Sequence, residues 1–251
     1  MRAVLGETFR LLGANLHLFT LLSLTVWLPI HVLLNYLEFF EPGEDAPGRA
    51  LRIVLTAQVV LDPFVVSAML SALARIKQGG TASYSQAVAE GFAAWPRLML
   101  VRFMIVWMLL MPSLGWLAVY AAGPAVQLVG GLLLIAASIV ILVLLVRFAV
   151  IDSAVVLGGG SPLSAWRQAA ELTVGQRWSI FGTAVVLFVL IFGLAVLGGQ
   201  VFRAVPAVNH FVVRVLFDCV LAVTQSLFTI ALFLFYWRKQ GIPAPAEPVA
   251  T

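Results

Sequence analysis

Charged side chains are scarce in this chain. Asp, Glu, Lys and Arg make up 10% of its 251 residues, against 62% for the hydrophobic types. A soluble domain carries about a quarter charged residues, because its whole outside must meet water. The shortage excludes a water-facing globule and leaves lipid as the solvent around most of the surface. Cysteine is nearly missing as well. Cys219 stands alone in an apolar run, so no intrachain disulfide and no cysteine-based zinc site can form, and packing is its expected role. Histidine is limited to His17, His31 and His210, scattered along the chain. The sequence has neither an HExxH nor a GxSxG motif, and no aspartates are paired at metal-binding spacing. No catalytic constellation, metal site or cofactor site is expected, and the reading is non-enzymatic. A net charge of +4 does not point to nucleic acid, because the basic residues sit dispersed at segment ends.

What is abundant is long apolar sequence. Six windows, roughly 18–37, 53–74, 98–120, 127–151, 179–199 and 211–236, are each long enough for a helix to cross a hydrocarbon core of about 30 Å. The fold class is therefore an all-α polytopic membrane protein. The first run is too long for a cleavable signal peptide and is not followed by a small-residue cleavage site, so none is expected.

Two connections between spans carry a helical pattern of their own. In 158–177, Leu163, Trp166, Ala170 and Val174 share one face, and Ser164, Gln168 and Glu171 the other. In 79–97, Tyr84, Val88, Phe92 and Trp95 oppose Ser83, Gln86 and Glu90. Both patterns predict amphipathic helices lying in the membrane interface. Ser161 with Pro162 predicts a capped helix start, and Thr81 or Ser83 can serve the earlier helix likewise. Shifting the chain by 80 residues sets Gly79-Gly80-Thr81 on Gly159-Gly160-Ser161, Ala89 on Ala169 and Arg97 on Arg177. With the charged N-terminal segment as a third interfacial helix, residues 1–240 read as one six-span domain of three pseudo-repeats, 1–80, 81–160 and 161–240. Each is an interfacial helix followed by a two-helix hairpin. The tail, 241–251, is expected to be disordered. Pro29 and Pro112 are candidate kinks at nearly corresponding positions. Small residues in spans four and five (Gly130, Gly131, Ala136, Ala137, Gly193, Ala195) would allow close helix approach, within the chain or between chains.

Basic residues near span ends set orientation. Arg2, Arg10, Arg75, Lys77, Arg97, Arg102, Arg147, Arg167, Arg177, Arg238 and Lys239 fall on one side; Arg49, Arg52, Arg203 and Arg214 fall on the other. The richer side is expected to be cytoplasmic, with both termini on it. Glu38, Glu41, Glu44 and Asp45 then decorate the first outer loop.

A few residues are costly where they sit. Asp62 lies near the middle of span two, where an ionised carboxylate costs at least ~2.5 kcal/mol. Pro63 follows it and frees the carbonyl of Val59. One reading is a buried Asp paired with Arg102, Arg147 or Arg214; another is a cation or proton site beside a broken helix. Arg102 and Arg147 can also snorkel to the interface. Arg214 and Asp218 are four apart on span six and can pair with each other. Asp152 reads as a helix-end contact with an interfacial helix. His31, Asn35, Gln58 and Gln225 read as helix–helix hydrogen bonds. Arg97, Arg167 and Arg177 are candidate contacts to lipid headgroups, and Asp62, Pro63, Arg214 and Asp218 form the candidate intramembrane polar site.

The stretch running from Asp152 through Gly158–Ser161 to Leu172, Gly175 and Trp178 resembles a bacterial six-span membrane domain. That domain is found fused to some glycerophosphoryl diester phosphodiesterases, and related small YciC-like inner-membrane proteins show a similar phrase. The resemblance implies membrane residence and carries over no catalytic residue. Two functions are expected to compete. The first is a non-enzymatic inner-membrane accessory or scaffold, touching lipids and a membrane-protein partner or a second copy; its mark is the lack of a convergent polar centre. The alternative is a small transporter or channel with a midplane site around Asp62.

Overall fold

The computed structural model describes residues 1–41, 43, 45–120 and 124–240; Glu44 and the 241–251 tail lie outside them. Those residues form helices without any strand. Six of the helical segments are long and apolar enough to cross a membrane: Leu16–Phe40, Ala46–Lys77, Tyr84–Met108, Gly130–Leu157, Arg177–Ala204 and Phe211–Lys239. The chain is a multi-pass membrane protein.

Helix α1 (Arg2–Ala14) buries Val4, Thr8 and Leu11, one stripe at helical spacing, and packs on α10 (Phe211–Lys239). It leads directly into α2 (Leu16–Phe40). Next come α3 (Ala46–Thr56), one π-helical turn over Ala57–Leu61, and α4 (Asp62–Lys77). Every residue of α4 from Pro63 to Leu73 except Phe64 is buried, and α4 is flanked by α2, α5, α7 and α10. It is the axle of the bundle. Helix α5 (Tyr84–Tyr120) runs unbroken for 37 residues, roughly 55 Å at the α-helical rise. The short helix expected before span three is therefore continuous with it. Helix α6 (Pro124–Arg147) gives way to a turn and to the short α7 (Ile151–Leu157). Helix α8 (Pro162–Leu172) starts at Ser161, whose Oγ accepts from the Ser164 amide at 3.3 Å as the sequence predicts. Helix α9 (Arg177–Ala204) then leads through a 3₁₀ turn to α10.

Gly79 and Gly159, eighty positions apart, both adopt left-handed backbone (φ 81° and 65°) in the turns ahead of α5 and α8. Glycine meets that conformation without the steric cost other residues carry.

In the two connecting segments the large apolar side chains stay exposed, on the side a membrane interface would cover, and smaller residues make the contacts with the protein. In α8, Leu163 is 69% and Val174 beyond its end 55% exposed, while Ala165 and Ala169 are closed off. At the start of α5, Phe92 is 61% exposed, while Ala87 and Ala94 are buried. Lipid solvates large apolar side chains as well as a protein core does, so the burial of bulk no longer drives helix association. Small residues that admit close backbone approach decide which face packs. Gly91 shows this best: a Cβ there would lie 2.7 Å from Ala68 of α4, and the Ser67 hydroxyl donates to the Gly91 carbonyl at 2.8 Å. Among the described residues, three of the six small residues noted on spans four and five make no such close approach inside the chain. Ala136 is exposed, and Gly131 and Gly193 have open space around them.

One carboxylate fastens three segments at the end of the bundle that holds the N-terminus. Glu7 of α1 accepts from Lys77 Nζ at the end of α4 (2.6 Å) and from Arg238 near the end of α10 (2.5 Å). Burial alone would raise the Glu7 pKa, but the hydrogen bonds and positive charge of Lys77 and Arg238 outweigh it and hold the carboxyl below its ordinary value.

Two predictions test this packing. Gly91→Val should destabilise the bundle by about 1–3 kcal/mol through overpacking, whereas Gly131→Ala should be neutral; thermal unfolding in detergent compares them. Because the folded pKa of Glu7 is depressed, its contribution is complete above the ordinary carboxylate range and is lost as pH falls through the folded value. The protection of the α1 amides, corrected for the intrinsic exchange rate at each pH, should therefore fall on acidification through the carboxylate range more steeply in the wild type than in Glu7→Gln.

Candidate functional site: a charged centre between cavities

Pro63 has no amide hydrogen, so the helix approaching it cannot close its regular ladder. The chain answers with the π turn: the Asp62 amide reaches five residues back to the Ala57 carbonyl. The indole of Trp95, on α5, donates to the Val60 carbonyl at 2.5 Å. The break foreseen at Val59 is thus taken up by one wide turn and by a side chain from a neighbouring helix.

Seven residues beyond Trp95, two turns along the same face, stands Arg102. Its Nη2 donates to Asp152 Oδ2 of α7 at 2.5 Å and lies 4.0 Å from Asp62 Oδ2 of α4. Of the three arginines expected as partners for Asp62, the structure selects Arg102. Arg147 instead places its guanidinium over the Phe148 ring at 5.6 Å, and its carbonyl accepts from Thr173 Oγ1. Asp152 does not make the expected contact with an interfacial helix, because Arg102 reaches it first. A guanidinium has five donors in a flat fork. The Arg102 Nε and Asp152 Oδ1 are buried without a protein partner.

Arg214 and Asp218 do not pair with each other as expected. Helices α2 and α10 pack alongside in opposite directions and offer each group a better partner. Arg214 Nη2 donates to Glu38 at 3.0 Å and its guanidinium lies over the Phe202 ring at 5.0 Å. Asp218 Oδ2 accepts from Asn35 Nδ2 at 2.7 Å. Among the described residues Asp218 makes no ion pair, and no group of three His, Cys, Asp or Glu could hold a metal ion.

Three cavities meet at Arg102. One, of about 410 Å³, holds Ser23, Trp27, Asp62, Gln225 and Ser226 on its wall. The next, of about 460 Å³, holds Trp27, His31, Gln58, Asp62, Asp218 and Gln225. The third, of about 520 Å³, is a crevice reaching α6 and α9 with mainly apolar walls and Arg102 and Asp152 among them. Asp62 and Asp218 of the predicted polar site therefore share a cavity, Pro63 shapes the turn beside it, and Arg214 stands outside. The polar residues are not merely spread along the interfaces. His31, Gln58 and Gln225, expected as packing hydrogen bonds, line one space.

The candidate headgroup contacts lie elsewhere. Arg167 and Arg177 are exposed and Arg97 is half-buried, near Glu90, which pairs with Arg75. Asp152 and Trp27 are the participants that sequence reasoning missed. The available signal was Asp152 itself, a carboxylate closing a span with a lone intramembrane arginine elsewhere in the chain. Comparison of the chain with protein-family models, curated proteins and solved structures gives no significant match.

Arg102→Met should destabilise the bundle by about 1–3 kcal/mol, because it strands two half-buried carboxylates. Adding Asp62→Asn and Asp152→Asn should recover most of that loss, as read by unfolding in mixed detergent micelles. A single variant as stable as the wild type would show that the centre carries no net charge tension.

Proposed function

We propose that this protein binds and moves a small polar solute through its helical bundle, with the Asp62–Arg102–Asp152 centre at the heart of the path. The observation that carries the reading is the sharing of one half-buried guanidinium by three cavities in an otherwise apolar molecule. Charged groups inside a membrane are costly and are retained where they line a route or a binding site. The π turn at Ala57–Leu61, directly before Asp62, supports the same reading, since such turns inside helices are frequent at functional sites. The reading gives the protein no covalent chemistry. The asymmetry of basic residues supports placement in an inner membrane with cytoplasmic termini. The likeness to the six-span bacterial domain, carried by Asp152, Gly158–Ser161, Leu172, Gly175 and Trp178, belongs to this proposal and adds no activity.

A second reading, the accessory or scaffold that contacts headgroups and partner proteins, draws on the start of α9. Exposed Arg177 is followed by Trp178, 84% exposed, a pairing suited to the headgroup layer.

The first reading is tested by osmotic swelling of liposomes containing the purified protein, challenged with a panel of small polar solutes. At least one solute should enter faster than through empty liposomes, and Asp62→Asn should slow that entry while leaving the protein folded. Permeability equal to empty liposomes across the panel would refute transport. Co-purification of a stoichiometric partner, or of an anionic lipid lost on changing Arg97 and Arg177, would then favour the second reading.

A further inference from the structure

Resting on the transport reading, we propose that the two cavities on either side of the Asp62–Arg102 pair form one path for a small cation. Asp218 and Asp62 are its resting places, and Arg102 is the fixed positive charge that bars the middle. The two cavities share Trp27, Asp62, Arg102 and Gln225, so they adjoin at one level. On α10 their walls run from Asp218 to Thr229, eleven residues or roughly 16 Å at the helical rise, about half of a ~30 Å hydrocarbon core. On α2 the same order holds, with His31 on the Asp218 side of Trp27 and Ser23 on the other.

The balance of charge gives the sign of the occupant. Asp62, Asp152 and Asp218 face these linked spaces, and among the described lining residues Arg102 is the one Arg or Lys. Arg102 is committed to Asp152 and stands off from Asp62 at 4.0 Å; Asp218 has an amide partner and, among the described residues, no ion pair. Two carboxylates in a low-dielectric space call for a mobile positive charge. Polar groups without partners continue along the route. Ser226 is 4% exposed, lines the cavity beyond Asp62, and its hydroxyl has no protein partner. The His31 Nε2 on the Asp218 side is likewise unpartnered. Trp27, stacked on His31 at 5.6 Å, adds an aromatic face suited to a cation.

Phosphatidylcholine–phosphatidylglycerol liposomes holding the full-length protein would be challenged with thallium(I), methylammonium, chloride and glycerol, each followed by a trapped dye or by light scattering. Thallium(I) or methylammonium should outpace chloride and glycerol, and whichever enters shows whether the cation is inorganic or organic. Asp218→Asn should cut cation entry about tenfold, the value of one lost charge-assisted contact, and Asp218→Glu should restore it. Arg102→Gln combined with Asp152→Asn, which removes a charge pair together, should speed cation entry. Circular dichroism and gel filtration establish that each variant is folded. Chloride or glycerol keeping pace with the cations, or cation entry unchanged in Asp218→Asn, overturns the cation path and leaves solute transport standing. If no solute enters faster than through empty liposomes, the transport reading itself fails, and the path with it.

Discussion

The structure turns on one guanidinium that cannot be left alone. Placing an arginine inside a bilayer is unfavourable unless opposite charge and acceptors surround it. Arg102 draws Asp152 from α7 and Asp62 from α4 to the same point, and that requirement sets how three helices meet. Helix α5 must lie across α4 so that Trp95 reaches Val60 while Arg102 reaches past it to α7. Helix α7 must break from α6 after Arg147, so that Asp152 falls at a helix start facing inward. The apolar packing around these contacts is compatible with many bundle geometries, whereas the ionic contacts admit few.

Packing in the bundle obeys the rules of a lipid solvent. In α8 and over the first turns of α5 the buried contacts run through Ala87, Gly91, Ala94, Ala165 and Ala169 while the bulkier Phe92 and Leu163 face outward; further along α5, Leu98 and Val101 are buried. Helices α6 and α9 take this furthest, with Leu133, Ile139, Phe188 and Leu197 exposed as an apolar outer wall. The central elements, α4 and the second half of α10, bury bulk all round: Leu70 and Leu73 meet Phe233 and Leu234 in one core.

Much of this was legible in the sequence, and what was not has a physical cause. The spans, the Ser161 cap and the disruption at Asp62–Pro63 are local properties, set by apolar run length, a hydroxyl before a proline, and a missing amide. The apolar stripes of the two connecting segments were legible, but not that Ala87, Gly91, Ala94, Ala165 and Ala169 make the protein contacts, because an amphipathic pattern does not say what covers its apolar side. Here lipid occupies the apolar side. The partners of Arg214 and Asp218 were misread for a related reason. Spacing of four along a helix favours a pair only weakly, by about 0.2–0.5 kcal/mol, and Glu38 and Asn35 of α2 stand at matching heights. The Arg102–Asp152 contact links residues fifty apart, and no periodicity announces such a meeting.

The π turn at Ala57–Leu61 is a change of phase. A helix with one residue more than the α ladder accommodates turns everything on its far side by about 100° relative to a regular continuation. Helices α3 and α4 therefore behave as two rods joined out of step, and Val54 of α3 and Asp62 of α4 line one cavity across that joint. Losing one residue from this turn would leave the composition, length class and hydropathy of the segment essentially as they are. It would nonetheless rotate the whole of α3 away from the cavity. The register of this helix, more than the identity of its side chains, is what the protein has to preserve across changes in its sequence.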